Sequence, residues 1–266
     1  MNDWLHNLPV AWMALVVFAF TYAVAAAIHF FVSLLAVGER ARTFKAVSPG
    51  MLPPLGILFG LFVAFTAAQV WNDNDRAGIA VNREASALRG ILVLASSFPG
   101  ESEGRMRALL RSYVEEAANR EWPMMARRAE TMRQAPRPLV EAMQVTLALQ
   151  PGNPGQRVAQ REIITELENV NDARRHRILI SYSQVNFVEW SCLFVQGICA
   201  LVAIAMVHSD NRLASIVTLA IFATGIAASV LLIAAHDRPF TGQISIGPRS
   251  SAADHARWLG WGEGES

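Results

Sequence analysis

The 266-residue chain carries 53% hydrophobic and only 17% charged side chains, with a formal net charge of +1. Soluble globular chains carry about 25% charged residues, so an ordinary soluble domain is excluded as the whole molecule, and the near-neutral balance offers no basic field for nucleic acid. The charges are also segregated: residues 73–186 hold 16 of the 23 basic and 14 of the 22 acidic side chains, the pattern of apolar membrane segments around a polar domain.

The stretch MNDWLHNLP has no Lys or Arg and precedes an apolar run longer than a signal-peptide core, so a cleaved secretory signal is not expected. Segment one covers residues 9–37, PVAWMALVVFAFTYAVAAAIHFFVSLLAV, 29 residues without a formal charge. A bilayer core needs about 20 helical residues at about 1.5 Å each, so this helix must tilt or project. His29 is its ionisable interior group. It either bonds to a neighbouring helix, which is the expectation, or marks a functional intramembrane site.

Segment two covers 54–71, PLGILFGLFVAFTAAQVW. Pro53 and Pro54 suit a helix start, where a missing N–H costs nothing. At the helical period Gly56, Gly60, Ala64 and Ala67, with Trp71, share one face, and their small side chains permit close helix contact. Phe62, Thr66, Gln69 and Asp73 share the opposite face, which grows polar toward the C-terminal end. In an oligomer that face is a candidate pore lining. Otherwise Phe62 meets lipid while Gln69 and Asp73 reach the headgroups.

Segments three (187–207) and four (213–235) are separated only by residues 208–212 and predict a tight helical hairpin. Glu189 and Trp190 suit the interface at the start of segment three. Thr218, Gly225 and Ser229 suit close helix contact in segment four. Cys192 and Cys199 are expected to be buried small hydrophobes rather than a disulfide or a metal site. Four spans put both termini and the central domain on one side. Near the membrane that side carries Arg76, Arg83, Arg89, Arg174, Arg175, Arg177, Arg238 and Arg249, against Arg40, Arg42, Lys45 and Arg212 on the other. The excess predicts cytoplasmic termini and a cytoplasmic central domain. The expected division is 1–72 for the first two membrane helices, 73–186 for the helical domain, 187–236 for the other two membrane helices and 237–266 for a tail.

Residues 73–186 read as helices throughout, and no alternating strand pattern appears. One helix continues segment two with an apolar stripe of Ala77, Val81, Leu88, Leu92 and Ala95, ended at Pro99-Gly100. The next covers about 101–129, with Pro123 expected to kink or divide it. Leu139, Met143 and Leu147 mark a short third helix, and PGNPG at 151–155 a turn. A last helix starts near Gln156 and is expected to continue into segment three, with Ile163, Leu167, Val170, Arg174 and Ile178 as its stripe. Two charges, Glu84 and Arg174, interrupt these stripes, and a charge aimed into a core needs a partner. Either the two long helices are neighbours and pair Glu84 with Arg174, with Arg177 as the substitute, or both side chains reach solvent.

Catalytic signatures are missing: there is no phosphate loop, dinucleotide fingerprint, HExxH or GxSxG. Asp73 with Asp75, and His236 with Asp237, are read as solvated or turn-forming rather than as metal ligands. No catalytic residue, cofactor or metal is expected.

Five stretches carry a resemblance. They are GILFGLFVAFTAAQVW (56–71), NREASALR (82–89), EWP (121–123), DARRHR (172–177) and DRPFTG (237–242). With them the chain, from Gly38 to about Pro248, resembles the bestrophin-like family of mostly bacterial membrane proteins. The resemblance implies a multi-pass protein of the cell inner membrane. Through the bestrophins, which are pentameric anion channels with four membrane helices per subunit and a cytoplasmic helical domain, it implies a pore lined by segment two. That would place Phe62, Thr66 and Gln69 at the axis. The bestrophin gate and calcium clasp have no residue-by-residue match here and are not carried over. Within the motifs, Glu121 and Trp122 are expected at a helix cap and kink, with Trp122 as a buried anchor. Asp237 and Arg238 are expected to order the exit of segment four. Trp258 and Trp261 in the tail are candidates for contact with the membrane surface.

The expectation is therefore an all-α integral membrane protein, a homo-oligomer in a lipid bilayer, with an inorganic ion as the permeant partner. The competing reading is a non-conducting scaffold or sensor whose helical domain binds a protein. A membrane enzyme ranks last.

Overall fold

The computed structural model describes residues 8–36, 38, 44, 49–127 and 135–241. Lys45, Arg40, Arg42, Arg249, Trp258 and Trp261, and with them the expected tail beyond Thr241, lie outside the described residues. Among the described residues the chain is helical and has no strand. The helices are α1 (Val10–Leu35), α2 (Leu52–Ala95), α3 (Glu101–Glu116), α4 (Trp122–Ala126), α5 (Arg137–Ala148), α6 (Pro154–Ser181), α7 (Phe187–Val207) and α8 (Arg212–His236). A 3-10 turn at Pro49–Met51 leads into α2, and a π-helical turn at Ala117–Glu121 joins α3 to α4. Four helices, α1, α2, α7 and α8, are long and apolar enough to cross a membrane, and the protein is an all-α membrane protein.

The residues form two compact units. The first holds the described residues up to Asn72 together with Gln184–Arg238, and the second holds Asp73–Ser183 with Pro239–Thr241. Helix α2 is one uninterrupted run of 44 residues that contributes to both. Helix α6, expected to continue into segment three, instead stops at Ser181. The reason lies in residues 185–189. The Asn186 side chain caps α7 by accepting the Val188 N–H at 3.0 Å, while the Glu189 carboxylate accepts the Asn186 N–H at 3.1 Å. This is a capping box, which starts a new helix by satisfying N–H groups that have no partner within it. Glu189 is thus a cap, a role its reading as a headgroup-level charge left out. Asp237, at the end of α8, accepts the Val185 N–H at 2.6 Å and fixes the same turn within the first unit.

In the first unit α1 buries one ridge at every fourth residue, Met13, Val17, Thr21 and Ala25. It packs with Phe59 and Val70 of α2, Leu193, Leu201 and Ile204 of α7, and Leu219, Ile226 and Ile233 of α8. Small residues bring membrane helices close because hydrocarbon gives no hydrophobic drive for their association. Here they are Ala200, Ala205, Ala223 and Ala227, and Gly197, where an added Cβ would stand 3.4 Å from Ile226 and 3.7 Å from Phe59. Gly225, expected to serve this role, has nothing within 4 Å of such a Cβ. Ser229 turns its hydroxyl back to the Gly225 carbonyl at 2.9 Å, and Thr218 bonds to that of Ala214 at 2.7 Å. Cys192 is half-buried and Cys199 exposed, both as free thiols. The core face of α7 runs through Leu193, Gly197 and Ala200, one position away from each cysteine, and a thiol facing hydrocarbon needs no burial. His29 meets Ser215 of α8 at 3.1 Å.

The second unit is built on α2, α3, α5 and α6. Leu88, Ile91 and Leu92 pack with Met106, Leu110 and Tyr113, with Leu139 and Ala142, and with Ile163, Leu167 and Val170. A smaller cluster joins Ala77 and Val81 to Trp122, Met125, Ile178 and Phe240. All five residues of the expected α2 stripe are buried.

Candidate functional site

Pro123 shapes the candidate site of the second unit. Proline has no N–H to give to the preceding turn, and the chain responds with the π turn, in which the Trp122 N–H reaches five residues back to the Ala117 carbonyl. Helix α3 therefore ends at Glu116 rather than near residue 129. An extra residue in one turn rotates the chain beyond it. It places Glu121, Trp122 and Met125 in the interior.

Facing them, α2 supplies Glu84, α3 supplies Tyr113, and α6 supplies Arg174 and Arg177 one turn apart. Arg177 binds Glu84 through two bonds, Nε to Oε2 at 2.8 Å and Nη2 to Oε1 at 3.1 Å. Its Nη2 also donates to Glu121 Oε2 at 3.0 Å, and Nη1 reaches the Met125 sulfur at 3.1 Å. The guanidinium lies 5.3 Å from the Trp122 ring centre, within cation–π range. Arg174 donates to Glu121 Oε1 at 2.6 Å. Tyr113 donates its hydroxyl to Glu84 Oε1 at 2.5 Å. Arg177 is 1% exposed and Glu84, the least covered of the four charges, 8%.

Two arginines and two glutamates make the cluster neutral, and each carboxylate holds two or more donors. Burial of that depth costs several kcal/mol per ion unless geometry and hydrogen bonds restore it. Burial disfavours the charged form of Arg177, but Glu84, Tyr113 and Glu121 together outweigh it and raise the guanidinium above its ordinary range. Burial, with the Glu84 charge beside it, pushes the Tyr113 phenol well above its ordinary value. The tyrosine is a neutral donor and the arginine a fixed cation. The cluster ties α2, α3, the π turn and α6 together.

Sequence reasoning marks Glu84, Glu121, Trp122, Arg174 and Arg177 individually, and the structure brings all five together. The partners differ from the first expectation: Glu84 takes Arg177, and Arg174 takes Glu121. In the sequence Tyr113 reads only as an apolar position, and nothing in its spacing marks the hydroxyl. Phe240 packs edge-on against Trp122 at 5.4 Å between ring centres, and Thr241 donates to the Ala126 carbonyl at 3.1 Å. These contacts bring the EWP and DRPFTG stretches together. Asp237 of the same motif holds the α7 entry turn. His236 bonds to its own helix through the Leu232 carbonyl at 3.0 Å.

The membrane part of α2, in the first unit, is a separate candidate. Its covered side runs through Phe59, Thr66 and Val70, with Phe62, Val63 and Ala67 packed at the edge of the core. Thr66 returns its hydroxyl to the Phe62 carbonyl at 3.0 Å. Ile57, Leu58, Leu61, Phe65 and Trp71 are exposed, as are Gly60, Ala64, Gln69 and Asn72. An added Cβ at Gly56 or Gly60 would meet nothing within 4 Å. Within one chain the two faces therefore carry the reverse of the expected burial. Thr66 and half of Phe62 turn inward, and of the small residues only Ala67 packs on the core. The helical period holds, but apolar residues on every side of a membrane helix leave the period blind to which side meets protein. Gln69 stays on the open side. Asp73 is largely covered and stands 3.8 Å from Arg76.

No curated protein and no solved structure matches the chain. Residues 19–251 match the family model of the bestrophin-like domain, so the chain, with its four apolar helices and its EWP and DRPFTG motifs joined at Trp122 and Phe240, belongs to the bestrophin-like family.

Proposed function

We propose that the chain assembles as a homo-oligomer into an ion-conducting pore of the cell inner membrane, with α2 at its axis. The observation that carries this reading is the open face of α2. It begins apolar at Ile57, Leu61 and Phe65, is notched at Gly56 and Gly60, and ends in the amides of Gln69 and Asn72. Lipid suits the first part but not the amides, since polar groups in membrane helices favour protein or water-filled surfaces. Small notches suit another helix. Family membership supports the same reading, because bestrophins are the channels for which the family is named.

Among the four lining candidates, Gln69 fits the axis best. Phe62 and Thr66 serve the subunit's own packing, and Asp73 would stand at the mouth beside Arg76. The excess of arginine in the second unit supports its cytoplasmic placement. Reconstituted ion flux tests the proposal. Flux above that of protein-free vesicles, altered in rate or ion preference by Gln69→Ala and unaltered by Thr66→Val, is expected. Absence of flux from a correctly folded protein would favour the scaffold reading and remove the channel.

A further inference from the structure

Between α2 and α6 of the second unit runs a groove. One part, of about 430 Å³, is lined by Arg76, Ile79, Ala80, Arg83, Ala173, His176 and Ile180. It continues along the same two helices into a part of about 670 Å³ that adds Glu166 and Asp172. The groove follows from the helical period. Arg76, Ala80 and Arg83 lie on one face of α2, and Ala173, His176 and Ile180 on one face of α6. Ala80 and Ala173 are buried and make a low floor, while the longer side chains make walls.

The first part has no carboxylate in its lining. Arg83 lines both parts, and among the described residues it has no ion pair or hydrogen bond. His176 is in the same condition. The four charges of the buried cluster are, by contrast, fully paired. Arg76 is 63% exposed along its side chain and keeps only the 3.8 Å contact with Asp73. Two guanidiniums and an imidazole thus line one concave space that has no carboxylate in its lining. Arginine forks match phosphate oxygens in pairs. Arg76 also lies five residues after the exposed Trp71, a residue type that favours the membrane interface.

We infer that this groove binds a phosphate-class anion, either a phospholipid headgroup or a free phosphate group, through Arg76, Arg83 and His176. The apolar Ile79 and Ile180 flank the cations and suit the glycerol end of a lipid. Glu166 and Asp172, in the continuation, set a limit on how far an anion extends. The inference holds whether or not the protein conducts.

The test uses the full chain in detergent, with calorimetric titration of inorganic phosphate in one arm. Native mass spectrometry with added phosphatidylglycerol or phosphatidylcholine forms the other. Loss of a charged hydrogen-bonding partner predicts binding about tenfold weaker or more in Arg83→Gln, and weaker again when His176→Gln is added. Arg83→Lys keeps the point charge and retains more of the binding than Arg83→Gln. Arg175→Gln, on the exposed side of α6, leaves it unchanged. Phosphatidylglycerol binding with that variant pattern identifies a lipid site, and phosphate binding with the same pattern identifies a free-anion site. If neither ligand binds, or if Arg83→Gln binds as the parent does while keeping its fold, the inference is wrong.

Discussion

Replacing Arg177 with alanine removes three hydrogen bonds to carboxylates, of 2.8, 3.1 and 3.0 Å, and the cation beside Trp122. Glu84 is left with Tyr113 as a buried donor, and Glu121 keeps Arg174. Breaking a buried pair from one side costs about 3–5 kcal/mol, because the remaining charge is stranded. An exposed arginine such as Arg175 costs within about 0.5 kcal/mol. Unfolding of a chain with two units need not be two-state, so local hydrogen exchange is the better assay. Amides of α6 around Ile178 should lose roughly two to nearly four orders of magnitude of protection in Arg177→Ala, since about 1.4 kcal/mol is tenfold. A paired change, Glu84→Gln with Arg177→Met, removes both charges and should recover part of the loss, with a coupling energy on the order of 1–3 kcal/mol. If Arg177→Ala changes protection no more than Arg175→Ala does, the cluster does not hold the helices together.

The same contacts have other consequences. Tyr113→Phe leaves Glu84 one donor short and should cost about 1.5–3 kcal/mol. In the parent the folded phenol titrates above its unfolded value of about 10, so the unfolded state alone loses the proton above that pH. Stability should therefore fall above about pH 10 by up to about 1.4 kcal/mol per pH unit, and this part of the slope should vanish in Tyr113→Phe when denaturation is followed against pH. Asn186→Ala removes the α7 cap and should cost about 0.5–2 kcal/mol, measured by thermal unfolding in detergent. Gly60→Val meets no atom within 4 Å of its Cβ in the single chain, so the folded subunit should tolerate it. Chemical cross-linking should nonetheless show a weakened oligomer if that face joins subunits.

The parts of this fold legible in sequence are those governed by composition and by helical period. Four apolar runs become four helices long and apolar enough to cross a membrane, and the stripe from Ala77 to Ala95 becomes the buried side of α2. Glu84, Arg174 and Arg177 stand out because they interrupt such stripes. Their pairing is not legible, because it depends on the rotation that the π turn gives Glu121, and a proline announces a break without its geometry. The end of α6 at Ser181 is written in the Asn186 and Glu189 spacing but is masked by the apolar continuity on either side. The open face of α2 escapes a sequence reading for a related reason: apolar side chains suit lipid and protein alike, so most positions of the helix do not show which side is covered.

The most direct test of the proposed channel is thiol modification of α2 during ion flux in reconstituted vesicles, in a background with Cys192 and Cys199 replaced by serine. The open face predicts that Gln69→Cys conducts and that a charged thiol reagent then changes its flux, whereas Thr66→Cys, on the covered side, is unaffected. Flux that responds at Thr66→Cys and not at Gln69→Cys, or no flux from either folded protein, would contradict a pore lined by this face.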